Sequence, residues 1–306
     1  MASLNSLLFK YTTDASRFLV VDSLLIHYRD EGEGEPLVLL HGAFSSLHTY
    51  NDWVKHLKKH YRVIRLDIMG FGLTGPNESD DYSMNNHMRI LKTFLNILKV
   101  DKCYMVGNSL GGWLSWEFTI RYPERVKKLV LIDSAGFLEE ENIPLPFKLA
   151  RSPIVGKVIK YVVKRPILEQ FVKQVYYNQD KVTEQLINRY YDLFTRDGNN
   201  DAFLRLVNQK VKDNSAALQT LTQPTLIMWG KEDVWIPVEN AYRFKQLIKH
   251  ANLLIYPEVG HVPMEEIPEE SVLDLLNFLQ DTGQFSQNIP STETRLDIAE
   301  DDFQIA

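Results

Sequence analysis

The chain has 306 residues, 44% of them hydrophobic, and a formal net charge of −6 at pH 7. That length can bury a sizeable core, whereas the mildly acidic balance argues against nucleic acid as a partner, because binding to it calls for a strongly basic surface. The lone cysteine, Cys103, excludes an internal disulfide. No apolar run approaches the ~20 residues that span a bilayer. Because the first residues also lack a charged leader with a long apolar segment, we expect a cytoplasmic protein without an integral membrane segment.

Short apolar runs predict the strands of a buried sheet. They lie at residues 18–21, 24–28, 37–40, 61–66, 103–106, 126–132, 225–229 and 253–256. The first two are expected to pair antiparallel, and the others read as continuous apolar segments, which is typical of strands buried on both faces. Helical spacing between them predicts helices at residues 50–58, 88–98, 110–122, 238–248 and 270–279. Strands that alternate with helices imply parallel βαβ units.

The alternation stops between residues 137 and 217, where helical spacing prevails and prolines divide the segment into short pieces. We therefore predict an α/β fold with a mostly parallel, doubly wound sheet and an inserted helical cap. In this interpretation residues 1–136 and 218–282 form the core, residues 137–217 form the cap, and residues 283–306 form an acidic C-terminal tail.

The cap segment mixes apolar and basic residues. Its apolar residues at helical spacing are Phe147, Ile154, Val158, Val162, Leu168 and Val172. We expect them to face a pocket as part of a mobile lid that selects apolar acyl groups; one alternative is that they only pack the cap onto the main domain. A basic amphipathic segment can also lie on a membrane surface, so peripheral membrane contact through the cap is a second alternative.

The segment Gly107-Asn108-Ser109-Leu110-Gly111 lies between a predicted strand and a predicted helix. It matches the Gly-x-Ser-x-Gly elbow, which projects a serine hydroxyl above the edge of the sheet. Side chains two positions either side of the serine would collide with the strand or the helix, which explains both glycines. The alternative is a glycine-rich turn with an incidental serine. The flanking elements favour Ser109 as a nucleophile.

A serine nucleophile needs a base, and in this fold the acid and the histidine follow the serine in that order along the chain. His261 follows the last predicted strand in a Gly-His loop, whereas His250 lies at a helix end before that strand. Asp233 follows the strand at 225–229 and is the predicted acid. Asp133, at the end of the preceding strand, is the alternative acid, and Glu232 should point elsewhere.

Two backbone N–H groups usually bind the oxyanion that acyl transfer creates. Leu110, directly after the nucleophile at a helix N-terminus, should supply one of them. The loop after the strand at 37–40 should supply the other, with Ala43 favoured over Phe44. His41 is expected to brace this loop.

A second glycine pattern spells the dinucleotide fingerprint. The run from Gly70 to Gly75 follows a strand, but the sequence that comes next reads as a loop, whereas a true fingerprint opens directly into a helix. We interpret it as a turn that holds Asp67 beside the site. His56 and His60 stand four apart without a carboxylate motif, so we expect no metal there.

Together these motifs resemble the capped α/β-hydrolase family. The matching segments are Leu39-Leu40-His41-Gly42, Asp67-x-x-Gly70-Phe71-Gly72, Gly107-Asn108-Ser109-Leu110-Gly111-Gly112, Gly230-Lys-Glu-Asp233 and Gly260-His261-Val-Pro263-x-Glu265. The resemblance covers residues 18 to 282. It implies the fold, a Ser-His-Asp triad, and neither a metal nor an organic cofactor.

Branches of this family differ at the site. Haloalkane dehalogenases and epoxide hydrolases carry an aspartate where this chain has Ser109. The carbon–carbon hydrolases of meta-cleavage products use Gly-Asn-Ser, as here, but typically follow the histidine with tryptophan, where this chain has Val262. We therefore expect a serine hydrolase that acts on a small apolar ester, with a thioester or amide as variants. The alternatives are a carbon–carbon hydrolase of vinylogous diketone acids and a non-catalytic ligand-binding relative.

Overall fold

The computed structural model describes residues 3–137, 145–152 and 164–285. A mostly parallel eight-stranded sheet forms its centre, with the order β1-β2-β4-β3-β5-β6-β7-β8. The strands are β1 (Ser16–Val21), β2 (Leu24–Glu31), β3 (Glu35–Leu40), β4 (Tyr61–Leu66), β5 (Cys103–Asn108), β6 (Val126–Ile132), β7 (Thr225–Gly230) and β8 (Asn252–Tyr256). β2 pairs antiparallel with β1 and with β4, and the other neighbours are parallel. The predicted sheet is confirmed, strand by strand.

Helices cover both faces of the sheet and follow the strands in the chain. In order they are α1 (Leu4–Tyr11), α2 (Asn51–Leu57), α3 (Met84–Ile97), α4 (Leu110–Arg121), α5 (Leu145–Arg151), α6 (Arg165–Gln174), α7 (Glu184–Phe194), α8 (Asn199–Val207), α9 (Glu239–Leu247), α10 (Pro263–Glu266) and α11 (Pro268–Leu279). Across the described ranges, none of these helices combines the length and apolar content that crossing a membrane requires. Helix α1 was not among the predicted elements.

The central strands are buried because their sequences are apolar on both faces. Every residue of β7 is buried, and so are the last four residues of β3. Amphipathic helices such as α3 then place their apolar stripe against the sheet. The continuous apolar runs of the sequence therefore mark the middle of the sheet, as predicted.

The order of the strands decides where the polar residues meet. Strands β5, β6, β7 and β8 are consecutive neighbours and run parallel. The residues that follow them, Ser109, Asp133, Asp233 and His261, therefore emerge at the same edge of the sheet. This edge, outside the carboxyl ends of parallel strands, is where open α/β sheets bind ligands.

Helices α5 to α8 interrupt the alternation between β6 and β7 and form the inserted cap. Its predicted limits, residues 137 and 217, stay a prediction, as do the lid assignments of Ile154, Val158 and Val162, which lie outside the described residues. Of the predicted lid residues that are described, Leu168 and Val172 are buried on α6.

Candidate active site

Ser109 occupies a strained turn between β5 and α4. Its backbone angles are φ 53° and ψ −116°, a combination that side chains rarely adopt. A Cβ on Gly107 would lie 2.1 Å from the Gly111 carbonyl oxygen, and a Cβ on Gly111 would lie 2.1 Å from the Leu40 carbonyl oxygen. Only glycine fits at these two positions. This steric restriction explains why the elbow motif has a glycine on either side of the serine.

Asp233 and His261 form a buried pair. The His261 Nδ1–H donates to Asp233 Oδ2 over 2.6 Å, and the two residues are 4% and 5% exposed, respectively. Asp233 Oδ1 accepts the N–H groups of Trp235 at 2.7 Å and Ile236 at 3.0 Å. The loop after β7 therefore fixes the carboxylate, which in turn fixes the tautomer and the orientation of the imidazole.

The serine elbow is tied to the histidine loop through Asn108. Its Nδ2 donates to the carbonyl oxygen of His261 at 3.0 Å and to that of Ile132 at 3.2 Å. The residue before Ser109 thus holds β5 against the end of β6 and the loop that follows β8.

Two of the alternative acid and base candidates, Glu232 and His250, have partners away from Ser109. Glu232 accepts the Val259 N–H at 3.1 Å. His250 Nε2 lies 2.8 Å from the carbonyl oxygen of Gln223, which precedes the opposite end of β7. Asp133 differs from both, because its carboxyl group lies beside Asp233 and His261.

The loop after β3 places backbone N–H groups beside the elbow. Among the described residues, the Ala43 N–H donates no hydrogen bond. Leu110 begins α4, so its N–H is one of the first four that have no partner inside the helix. Ala43 also lines the same cleft as Ser109, whereas Phe44, with φ 64°, lines only the neighbouring pocket.

His41 braces this loop from behind. Its Nδ1–H donates to the Gly42 carbonyl oxygen over 2.7 Å, and its Nε2 accepts the Ile68 N–H at 2.9 Å. Complete burial lowers the pKa of His41, so the ring stays neutral and can serve both as donor and as acceptor.

The glycine-rich run at residues 70–75 wraps around a buried carboxylate. Asp67 Oδ2 accepts the Leu73 N–H at 2.7 Å and lies 2.7 Å from His27 Nδ1. Burial alone would raise the pKa of Asp67, but the neighbouring His27 holds it below the usual range. The next helix starts at Met84, so no helix opens directly from the glycines, and the arrangement is not a dinucleotide fingerprint.

An apolar cleft opens at Ser109 between the sheet edge and the cap. We call it the main cleft; its wall includes Ala43, Ser109, Leu110, Leu114, Phe137, Phe147, Leu206, Val207, Trp235 and Ile236. A smaller side pocket lies next to His261 and includes Ala43, Phe44, Leu168, Phe171, Val172, Trp235 and Val262. Ala43 and Trp235 belong to both, so the two cavities meet at the proposed oxyanion loop.

Trp235 was not among the residues singled out in the sequence. Its ring lies 5.7 Å from the ring of His261, centre to centre, and it faces both cavities. Its position two residues after Asp233, in the same loop, is the signal that could have found it.

The loop that carries His261 is fixed to the segment that follows α6. Glu266 is almost fully buried, and its carboxylate accepts the N–H groups of Gly260 at 2.8 Å and Asn178 at 2.6 Å. The His261 N–H donates to the Val175 carbonyl oxygen over 2.8 Å. This part of the cap therefore shares hydrogen bonds with the histidine loop.

Comparisons with known proteins agree with this architecture. The chain matches the α/β hydrolase fold family over residues 35–268. It is 30% identical over 258 residues to 2-hydroxy-6-oxo-2,4-heptadienoate hydrolase of Pseudomonas putida, with 81% of this chain and 90% of that protein covered. It is 29% identical over 273 residues to 2-hydroxy-6-oxo-6-(2'-aminophenyl)hexa-2,4-dienoic acid hydrolase of Metapseudomonas resinovorans, covering 86% and 90%. The solved meta-cleavage product hydrolase of Pseudomonas fluorescens IP01 superposes with a TM-score of 0.76 at 25% identity, covering 87% of this chain and 98% of that one. The match over most of the chain shows that this protein belongs to the α/β-hydrolase family.

Proposed function

We propose that this hydrolase cleaves a carboxylic ester through an acyl-enzyme on Ser109. The observation that carries the proposal is the buried His261–Asp233 pair, which is tied through Asn108 to a serine on a strained elbow. A binding protein would need only the cleft. A non-catalytic relative therefore has no use for an elbow serine, a base and an acid in this arrangement.

The proposed reaction has two halves. Ser109 Oγ attacks the substrate carbonyl carbon while His261 Nε2 takes the hydroxyl proton and then delivers it to the leaving alcohol. Water, activated by the same nitrogen, then attacks the acyl-enzyme and releases the acid. Asp233 stabilises the imidazolium without accepting its proton. The N–H groups of Ala43 and Leu110 bind the oxyanion in both halves.

The charges around the site favour an uncharged acyl group. Within the described part of the chain, Arg151 is the cationic side chain on the wall of the main cleft, and it is exposed. A second cation near the site, Arg189, already has a partner, because it donates to both Glu265 oxygens at 2.8 Å. Tyr176 and Tyr190 donate to the same carboxylate. Burying a substrate carboxylate would require an available cation, whereas an apolar acyl chain fits this wall directly.

Carbon–carbon bond hydrolysis of a vinylogous diketone acid is the second candidate. The activities that name the two relatives above favour it, and Asn108 before Ser109 matches that branch. In this case Arg151, on the wall of the main cleft, would bind the substrate carboxylate rather than Arg189, which Glu265 neutralises.

One experiment separates the possibilities. The purified chain is assayed with p-nitrophenyl butyrate and hexanoate and, in parallel, with 2-hydroxy-6-oxohexa-2,4-dienoate derivatives. We expect the larger kcat/KM with the esters, and rapid labelling by a fluorophosphonate probe. A larger kcat/KM with the dienoates would establish the second candidate, and a folded chain that neither turns over substrate nor reacts with the probe would establish the ligand-binding alternative.

A further inference from the structure

Asp133 is a fully buried carboxyl group that the proposed reaction does not use. Its Oδ1 accepts the Gly230 N–H at 2.9 Å. Its Oδ2 is buried as well and receives no hydrogen bond from any donor in the described residues. An ionised carboxylate would leave this oxygen both charged and unpaired, which is costly in a buried environment.

The same carboxyl group lies beside the acid of the proposed triad. One oxygen each of Asp133 and Asp233 and one nitrogen of His261 all lie within 4.8 Å of one another. Ionising two carboxyl groups this close together in a buried site is costly, which favours a proton on one of them. Burial first, and then the charge of Asp233, raise the pKa of Asp133 well above its usual range.

We propose that Asp133 is a neutral carboxylic acid that donates its O–H to the Asp233 carboxylate and thereby positions the group that orients His261. This inference rests on the proposed function, because it assigns Asp133 a role in the triad that cleaves the ester. Asp133 is a positioning residue, since it acts through Asp233 and touches no reacting atom.

The hydrogen-bond inventory of Asp233 is consistent with such a donor. Its Oδ1 already accepts two backbone N–H groups, and its Oδ2 accepts the His261 Nδ1–H. A carboxylate can accept about four hydrogen bonds, so room remains for one more. The titratable groups that face Asp133 are Asp233, His261, Glu266 and Tyr256, none of which is a permanent cation that would stabilise a second negative charge.

A metal ion would be the other way to hold two carboxyl groups and an imidazole together. The geometry favours the proton, because His261 Nδ1 and Asp233 Oδ2 are already in direct contact at 2.6 Å. A metal bound to both atoms would have to separate them and replace this hydrogen bond.

The protonation state can be read without a substrate. The infrared spectrum of the full chain at pH 7 should contain the carbonyl stretch of a protonated carboxylic acid, and the Asp133→Asn variant should lack it. The inference is overturned if the wild-type spectrum contains no such band. It is also overturned if the band persists in the spectrum of the Asp133→Asn variant. Because this test needs no turnover, it stands even if the ester assignment fails.

The pH profile then tests the positioning role. Asp133→Asn keeps a donor and a neutral charge, so the pH midpoint of kcat/KM and kcat itself should stay near wild type. Asp133→Leu removes the donor, leaves Asp233 more basic, and should raise the midpoint while lowering kcat by about tenfold. An ionised Asp133 would give the opposite sign, since both variants would then remove a negative charge and lower the pH midpoint of kcat/KM by about one unit or more.

Circular dichroism and urea unfolding identify a variant that merely misfolds, and activity lost on chelation would indicate a metal instead.

Discussion

Ser109 combines a strained backbone with a place on the wall of the main cleft. We predict that Ser109→Ala lowers kcat by about 10³-fold or more, because no other group on the elbow can form the acyl-enzyme. The unfolding free energy should stay close to wild type. The measurements are kcat/KM with p-nitrophenyl butyrate and urea unfolding of the same preparation.

Ser134 provides a matched control. It lines the same cleft, but its hydroxyl donates to the Ala135 carbonyl oxygen at 2.9 Å. Ser134→Ala should keep most of the activity. If the folded Ser109→Ala enzyme retained a tenth of the wild-type rate, Ser109 would not be the nucleophile.

The sequence is enough to select candidate site residues, but it does not show which of them lie close together in the fold. The order of serine, acid and histidine along the chain, with a strand before each, was enough to select Ser109, Asp233 and His261. Asp133 and Asp233 are competing candidates for the acid in the sequence, because each follows a strand. The sequence carries no signal that β6 and β7 are neighbours in register, and this pairing is what places both carboxyl groups beside one imidazole.

The elbow is the element on which the site depends. We predict that Gly111→Ala destabilises the chain by at least about 3 kcal/mol, because its methyl group would lie 2.1 Å from the backbone oxygen of Leu40. Gly283→Ala is the control. Its φ is +68°, but nothing lies within 4 Å of the added methyl group, so about 1 kcal/mol is expected. Equal unfolding free energies for the two variants would refute the steric account of the motif.

The cap helix α5 contributes an aromatic side chain to the main cleft. Phe147 packs against Phe203 with ring centres 5.4 Å apart and against Phe44 at 5.7 Å. Each buried methylene of an acyl chain contributes about 0.8 kcal/mol, so kcat/KM should rise by up to roughly fourfold per carbon until the cleft is filled. We predict that Phe147→Ala reduces the preference for hexanoyl over butyryl esters at least about threefold.

A matched aromatic variant controls for this test. Phe9 is 92% exposed on α1, outside the residues that line the cleft. Phe9→Ala should leave the chain-length profile unchanged. The lid assignment of Phe147 is wrong if both variants keep the wild-type profile.

Element prediction from sequence succeeded where the pattern was long or continuous. The buried strands are apolar on both faces, so they stand out as runs, and α3 shows a clear apolar stripe. Helix α1 has only eight residues, of which Leu7 and Tyr11 are buried, so its apolar face is too short to give a period. Such a helix is stabilised by its tertiary contacts, here a hydrogen bond from Tyr11 to Asp192 on α7, and its own sequence cannot predict them.

Two buried histidines contribute to the way the stability of the protein responds to acid. Burial lowers the pKa of His48 to about 3 and that of His87 to about 4. An unfolded histidine takes up its proton near pH ~6.5, so the unfolded state binds more protons between pH ~6.5 and ~4. The contribution of these two histidines therefore lowers the unfolding free energy as the pH falls through this window.

The variant His87→Leu tests this account. His87 Nε2 has no hydrogen-bond partner among the described residues, so its replacement removes the proton uptake without breaking a contact of that atom. Between pH 7 and pH 5, wild type should lose about 2 kcal/mol more unfolding free energy than His87→Leu, as measured in urea. Replacing the exposed His60 with Leu should leave the difference unchanged. A His87→Leu slope equal to that of wild type would contradict the prediction.

The hydrogen bonds of Glu266 bear on how this enzyme could be rebuilt. Exchanging caps between relatives is a natural route to chimeric enzymes with new substrates, and the crossover points would ordinarily be set at the ends of the insertion. Here residues 175–178 are bonded to the loop that carries His261, through the Val175 carbonyl oxygen and the Glu266 carboxylate. A graft that replaced residues 175–178 would change the substrate specificity and would also disturb the position of His261. The graft should therefore keep residues 175–178 of the recipient and exchange only the parts of the cap that lie before and after this stretch.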